Sequence, residues 1–125
     1  MKTKTMDILT INPGSTTTKI AVFQDMVPLF TETITHDADE LKKMKGIFGQ
    51  LHFRESLIKK VVAKNNYDIK KLNAVVARGG MIIGLHGGGY KVTPALCKAM
   101  KDPKNPPHAS SMGAQLAYDI ANPLG

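Results

Sequence analysis

Residues 12–19 read Asn-Pro-Gly-Ser-Thr-Thr-Thr-Lys. A phosphate group needs hydrogen-bond donors and positive charge. A tight Gly turn can aim backbone N–H groups outward as an anion nest. Ser15, Thr16, Thr17 and Thr18 add hydroxyls, Lys19 adds charge, and Asn12 can hold a phosphate oxygen or a metal-bound water. Side-chain alternation puts Thr17 and Lys19 on one face of the strand that follows, with Thr16 and Thr18 on the other. Lys19 is therefore expected to reach the same pocket as the turn. The string is not a P-loop, which needs G-x-x-x-x-G-K-[ST] ahead of a helix. It also fits an ordinary Pro-Gly hairpin whose threonines serve as strand formers, and the string alone does not choose.

Three further places carry candidate chemistry. Arg78 follows an apolar run, Ala74 to Ala77, and precedes Gly79 and Gly80. Strand ends beside flexible turns are where α/β folds place their sites. A guanidinium there can meet a carboxylate or a phosphoryl group with a planar fork; a structural arginine paired to an acid reads the same way. His108 stands before a helix start that Ser110 or Ser111 can cap, where an imidazole can touch an anion shared with the helix dipole. A surface capping histidine is the plainer alternative. His86, in His-Gly-Gly-Gly-Tyr, reads as part of a mobile loop. His36 and His52 have no metal-ligand partner at useful spacing, and Cys97 reads as a small core hydrophobe.

The elements that must position these residues follow from pattern. Asp7 to Asn12 and Thr17 to Phe23 are short β-rich runs flanking a four-residue Pro-Gly-Ser-Thr loop, which predicts a hairpin. A second turn at residues 24–28 leads into residues 29–35, with Phe30, Glu32 and Ile34 on one face. The first 35 residues thus predict a three-stranded antiparallel meander. Asp37 is the predicted N-cap of a helical stretch interrupted at Gly46 and Gly49. A cleaner helix is predicted over residues 52–65, with a stripe of Leu57, Ile58, Val61 and Val62, ended by Asn65-Asn66. Residues 74–77 predict a buried strand, and Thr93-Pro94 a capped short helix. A last helix is predicted from Ser110 to Ala121. Strands first, then helices with one returning strand, predict a mixed α/β sheet covered by helices.

Composition narrows the class. A length of 125 residues with 42% hydrophobic content suits one domain with its own core. One cysteine makes no internal disulfide, and no apolar run approaches a membrane span; a cytoplasmic protein without a membrane partner is expected. The net charge is +7, but fifteen of the seventeen basic residues are lysines spread along helix surfaces. Base readout favours arginine, and single-strand binding wants interleaved aromatics, so nucleic acid is not the expected partner.

Four segments taken together, "ILTINPGSTTTKIAVF", "TETITHDADEL", "AVVARGG" and "HASSMGA", resemble the butyrate kinase family, in the acetate kinase branch of the sugar kinase, Hsp70 and actin superfamily. The resemblance runs from Asp7 to Gly125. It implies a ribonuclease H-like (actin-like ATPase) half-domain with a strand-turn-strand phosphate loop at its start. It implies reversible transfer of the γ-phosphoryl group of ATP to a short-chain carboxylate, giving an acyl phosphate and ADP, with Mg²⁺. Carried over by residue, Asn12 matches the metal- and phosphate-side asparagine. Gly14, Ser15, Thr16, Thr17 and Lys19 match the phosphate loop. Arg78 matches the arginine that holds substrate carboxylate and moving phosphoryl group, and His108 the histidine that leans on the same site. Ala77 stands where the family usually has glycine, and Ser111 where asparagine is common. The resemblance further implies a second, C-terminal domain and a homo-oligomer. Residues 1–125 are therefore expected to be an N-terminal domain, nearly inactive alone. A non-catalytic anion-binding or interaction domain derived from the same fold is the alternative.

Overall fold

Alternation begins at Asp7. Along Asp7–Pro13 every second residue is buried, and Leu9 and Ile11 point to one side. This strand, β1, pairs antiparallel with β2 (Thr17–Gln24), which pairs antiparallel with β3 (Val27–Thr35). The expected meander is present. The computed structural model describes residues 5–80, 82–105 and 108–125. The hairpin loop is one residue tighter than expected, because Pro13 still pairs with Thr18 as the last rung of the ladder. The third strand starts earlier, at Val27, and carries Pro28 along the outer edge of the sheet, where a missing N–H breaks no ladder. A bulge at Val22/Phe23 absorbs Leu29, which is exposed.

The chain then turns helical. Asp37 caps α1 (Ala38–Lys42), accepting from the Asp39 N–H. Gly46 adopts φ +64°, and a 3-10 turn at Phe48–Gln50 leads into α2 (Leu51–Lys64). Asn66, at φ +59°, takes the left-handed turn out of it. β4 (Ala74–Ala77) returns beside β1 and parallel to it, so the sheet order is β3-β2-β1-β4. α3 (Pro94–Met100) is capped by Thr93, whose hydroxyl accepts from the Leu96 N–H. A 3-10 turn at Ala109–Met112 runs into α4 (Gly113–Ala121).

Two expectations are corrected. β4 is not a buried strand: it lies at the sheet edge, and Val76 is 54% exposed while Val75 and Ala77 pack inward. A continuous apolar run fits that edge because only alternate residues reach the core. The last helix does not start at a serine cap. His108 does the capping, its ring Nδ1 accepting from the Ser110 N–H, and Ser110 and Ser111 are both buried inside the turn.

The core lies between the inner sheet face and α2 and α4. Leu9, Ile11, Ile20 and Val22 from the sheet meet Ile58 and Val62 from α2 and Met112, Leu116 and Ile120 from the α4 segment. Each such side chain contributes about 1.5–3 kcal/mol by leaving water. This is the mixed α/β architecture expected of an actin-like ATPase half-domain, and its packing fixes the C-terminal end of β1 against that of β4.

Candidate active site

Two structures meet at that end of the sheet: the loop between β1 and β2, and the turn after β4. In the loop, the Gly14 N–H donates to the Thr17 carbonyl at 2.7 Å. Ser15 and Thr16 are exposed at the tip. Thr18 is fully buried and turned inward, while Lys19 is exposed on the opposite face of β2. Under the loop lies Arg54 of α2, wholly buried. Its Nη1 donates to the carbonyls of Gly14 (2.8 Å) and Thr17 (2.9 Å) and to Thr18 Oγ1 (3.1 Å). Its Nη2 donates to the Ser15 carbonyl (3.1 Å), and Nη2 and Nε both reach Gln50 Oε1. Thr18 Oγ1 also lies 2.8 Å from His36 Nε2, and the His36 N–H donates to the Thr16 carbonyl. Thr18 Oγ1 thus joins the Arg54 guanidinium to the His36 imidazole. Burial, and then the charge of Arg54, hold the His36 imidazole below its usual pKa.

The turn after β4 is fixed just as closely. The Arg78 N–H donates to the Ile11 carbonyl at 2.9 Å, carrying the β1–β4 ladder one step further. Gly113 lies directly against the Arg78 carbonyl, where any Cβ would overlap it, and Gly80 lies against Ser111 in the same way. The backbone of residues 78–80 is therefore clamped to the start of α4. The Arg78 side chain is exposed and has no hydrogen-bond partner among the described residues. His108 Nδ1 accepts from Ser110, N–H at 3.1 Å with Oγ at 2.7 Å. That assigns its proton to Nε2, which is left as a donor.

Asn12, Arg78 and His108 line one cleft of about 1380 Å³. Gly79, Gly80 and residues 86–91 form more of its rim, so His86 belongs to this cleft. Ile82, Leu96, Met100 and Ala114 give it an apolar lining as well. Gly14, Ser15, Thr16, Thr17 and Lys19 do not line it. Lys19 lies in a shallow depression on the outer sheet face with Thr10, Thr31 and Thr33, and Asn12, its cross-strand partner, lines both hollows. Asn12 is thus the hinge between the loop side and the Arg78 side.

Mg²⁺ takes near-octahedral oxygen ligation, usually from one or two carboxylates plus phosphates. Asn12 offers one carboxamide oxygen, and among the described residues no acidic side chain lines the cleft. No group of three metal-ligating side chains occurs among the described residues either. This donor set does not hold the ion on its own.

Sequence reading passed over Arg54 and made nothing of His36 beyond its lack of metal partners. A signal for the first was present: Arg54 precedes Ile58 by four positions and so continues the Ile58–Val62 stripe onto the buried face of α2.

No family model matches the chain. Curated relatives do match. The chain is 44% identical over 118 residues to the probable butyrate kinase of Listeria monocytogenes serovar 1/2a, and equally to that of serotype 4b. It is 43% identical to that of serotype 4a. This chain is similar to butyrate kinases. Each alignment takes in 94% of this chain and 33% of the relative, so the chain spans about a third of the length of the curated relatives it matches. The resemblance carried by the four sequence segments is borne out. Among the described residues no helix is long and apolar enough to cross a membrane.

Proposed function

We propose that this chain supplies the phosphoryl-handling side of a kinase that moves the γ-phosphoryl group of ATP, reversibly, onto a short-chain carboxylate such as butyrate. The observation that carries the reading is the make-up of the cleft. An arginine with no side-chain partner among the described residues, an imidazole N–H and a carboxamide line it together with apolar side chains. A short-chain acid offers the matching polar and apolar groups. The similarity to probable butyrate kinases supports the reading.

A carboxylate is ionised at neutral pH, so its oxygen attacks the γ-phosphorus without a general base. The new C–O–P linkage forms as the bond from that phosphorus to the β–γ bridging oxygen breaks, and ADP leaves with the electron pair. What the reaction needs is positioning and charge stabilisation. Arg78 neutralises the repulsion between carboxylate and phosphoryl oxygens, and His108 donates Nε2–H to the charge on the moving group. Asn12 and the loop from Gly14 to Thr17, with Lys19 beside them on the sheet, hold the polyphosphate. The complete enzyme would add a second domain, a Mg²⁺ site and an oligomeric assembly in the cytoplasm.

The test is acyl phosphate synthesis by the full-length protein bearing this sequence, with butyrate, isobutyrate and acetate compared and the product trapped by hydroxylamine. Formation of butyryl hydroxamate dependent on ATP supports the reading. A folded protein that turns over none of the three acids overturns it and leaves a non-catalytic anion-binding module in its place.

A further inference from the structure

Arg54 is a cation that the fold has buried without a counter-ion among the described residues. Every acceptor it meets is neutral: three loop carbonyls, one hydroxyl and one carboxamide. A buried charge is costly unless paired and hydrogen-bonded, and replacing such groups by apolar ones often leaves stability unchanged or better. Packing alone therefore gives no reason for an arginine here. The acceptors give one. Three of them are the backbone of the loop itself, and none is an acid that would cancel the charge.

The geometry of the peptide unit completes the argument. All peptide bonds described are trans, so a carbonyl and the N–H of the next residue point in opposite directions. The carbonyls of Gly14 and Ser15 turn inward to Arg54. The N–H groups of Ser15 and Thr16 must then turn outward, on the two residues that stand exposed at the loop tip. The guanidinium thus orients two outward amide dipoles and lays its own unneutralised charge behind them. Both act in the same sense on an anion in front of the loop. Glu55 is next in sequence but lies on another face of α2, against Asp119 of α4.

We infer that Arg54 is a positioning residue for phosphate: it holds the 14–17 loop with its amides outward, and an anion bound at that loop is the counter-charge the fold itself omits. This rests on the reading of the loop as a phosphate site. It adds that the affinity of the site comes from beneath as well as from the loop's own hydroxyls and Lys19.

Inorganic tripolyphosphate is the probe, followed by amide and arginine side-chain NMR on the full chain. In the wild type the Ser15 and Thr16 amides are expected to shift on titration, and the Arg54 Nε–H signal to shift along the same saturation curve. Arg54→Met, checked for unchanged Leu9, Ile58 and Leu116 methyl signals, is expected to bind about 10-fold or more weakly. Arg54→Lys, which keeps the charge but loses the fork, should fall between. Loop amides that titrate while Arg54 Nε–H stays still overturn the inference without any variant, as does a folded Arg54→Met that binds within twofold of the wild type; both leave the phosphate reading standing. Loop amides that do not respond in the wild type overturn the phosphate reading, and this inference with it.

Discussion

In the proposed reaction the two arginines of this chain divide one task. Arg78 is exposed and open to a ligand; Arg54 is buried and committed to backbone. Substitution should separate them. Arg78→Ala in the full-length enzyme is expected to lower kcat on the order of 10²-fold or more, as for other charge-stabilising arginines in phosphoryl transfer. Arg78→Lys should lose most of that activity too, since a point charge lacks the planar fork. Turnover near the wild-type rate in the lysine variant would remove Arg78 from the reacting centre. His36 gives a prediction of another kind. Its folded pKa lies below 6.5, because burial first and the Arg54 charge second disfavour the imidazolium. The unfolded chain takes up the proton near 6.5, and the folded chain refuses it until a lower pH. Stability is therefore fully present above pH 6.5 and is lost as pH falls from there through the folded value. His36→Gln, which keeps a hydrogen-bonding partner for Thr18 but does not titrate, should flatten the fall of Tm between pH 7 and 5 (roughly the window of an ordinary histidine). Equal falls in both proteins would place the acid sensitivity elsewhere.

Between elements, the contact of α2 with α4 contains an acid pair that does no evident work for the loop or the cleft. Glu55 of α2 is pushed up to about 8, by burial and then by the facing Asp119 of α4, with Lys59 opposing. Its Oε1 is buried without a partner among the described residues. A carboxyl whose folded pKa is raised contributes stability below its unfolded value near 4.5 and loses it as pH climbs through about 8. Glu55→Gln should raise Tm by ~3 °C at pH 8 and by much less at pH 4.5. A difference between the two proteins that does not grow with pH would show that the pair is not the cause. What Glu55 and Arg54 each meet inside the fold was not legible in the sequence, and the reason is the same for both. A helix pattern shows which stripe faces inward, but not what lies opposite, and a charged residue on the stripe is read as its border. The hairpin was legible because alternation and a Pro-Gly turn are local signals. So were the caps at Asp37 and Thr93. The edge position of β4 was not, because strand order is decided by which neighbour the chain returns to. Arg78 could be singled out by its glycines; that Gly113 clamps its carbonyl is a contact across 35 positions that no local pattern displays.

Among the described residues two apolar clusters of unequal size hold the molecule, and the cleft lies beside the smaller. The larger joins the sheet to α2 and α4. The smaller is Cys97, Met100 and Ala114, with Ile82, Val92, Leu96 and Tyr118 around it. It attaches α3 and the glycine-rich rim to one side of α4. Local opening free energies follow this kind of difference, running from nearly zero in lightly packed segments up to the global value in core strands. β1 is hydrogen-bonded on both sides, by β2 and β4, and buries Leu9 and Ile11. Native-state hydrogen exchange should therefore find the amides of Cys97 to Met100 less protected than those of Leu9 and Ile11 by on the order of 10²-fold or more. Denaturant at low concentration should leave the α3 rates almost unchanged, the mark of opening that exposes little surface. In that case the apolar wall of the cleft moves as a unit against a fixed Arg78, whose backbone belongs to the β1–β4 ladder, and the acyl end of a substrate can be admitted without disturbing the phosphoryl end. If α3 and β1 exchange together and with the same denaturant dependence, the two clusters are one cooperative unit, and the cleft meets its substrate already formed.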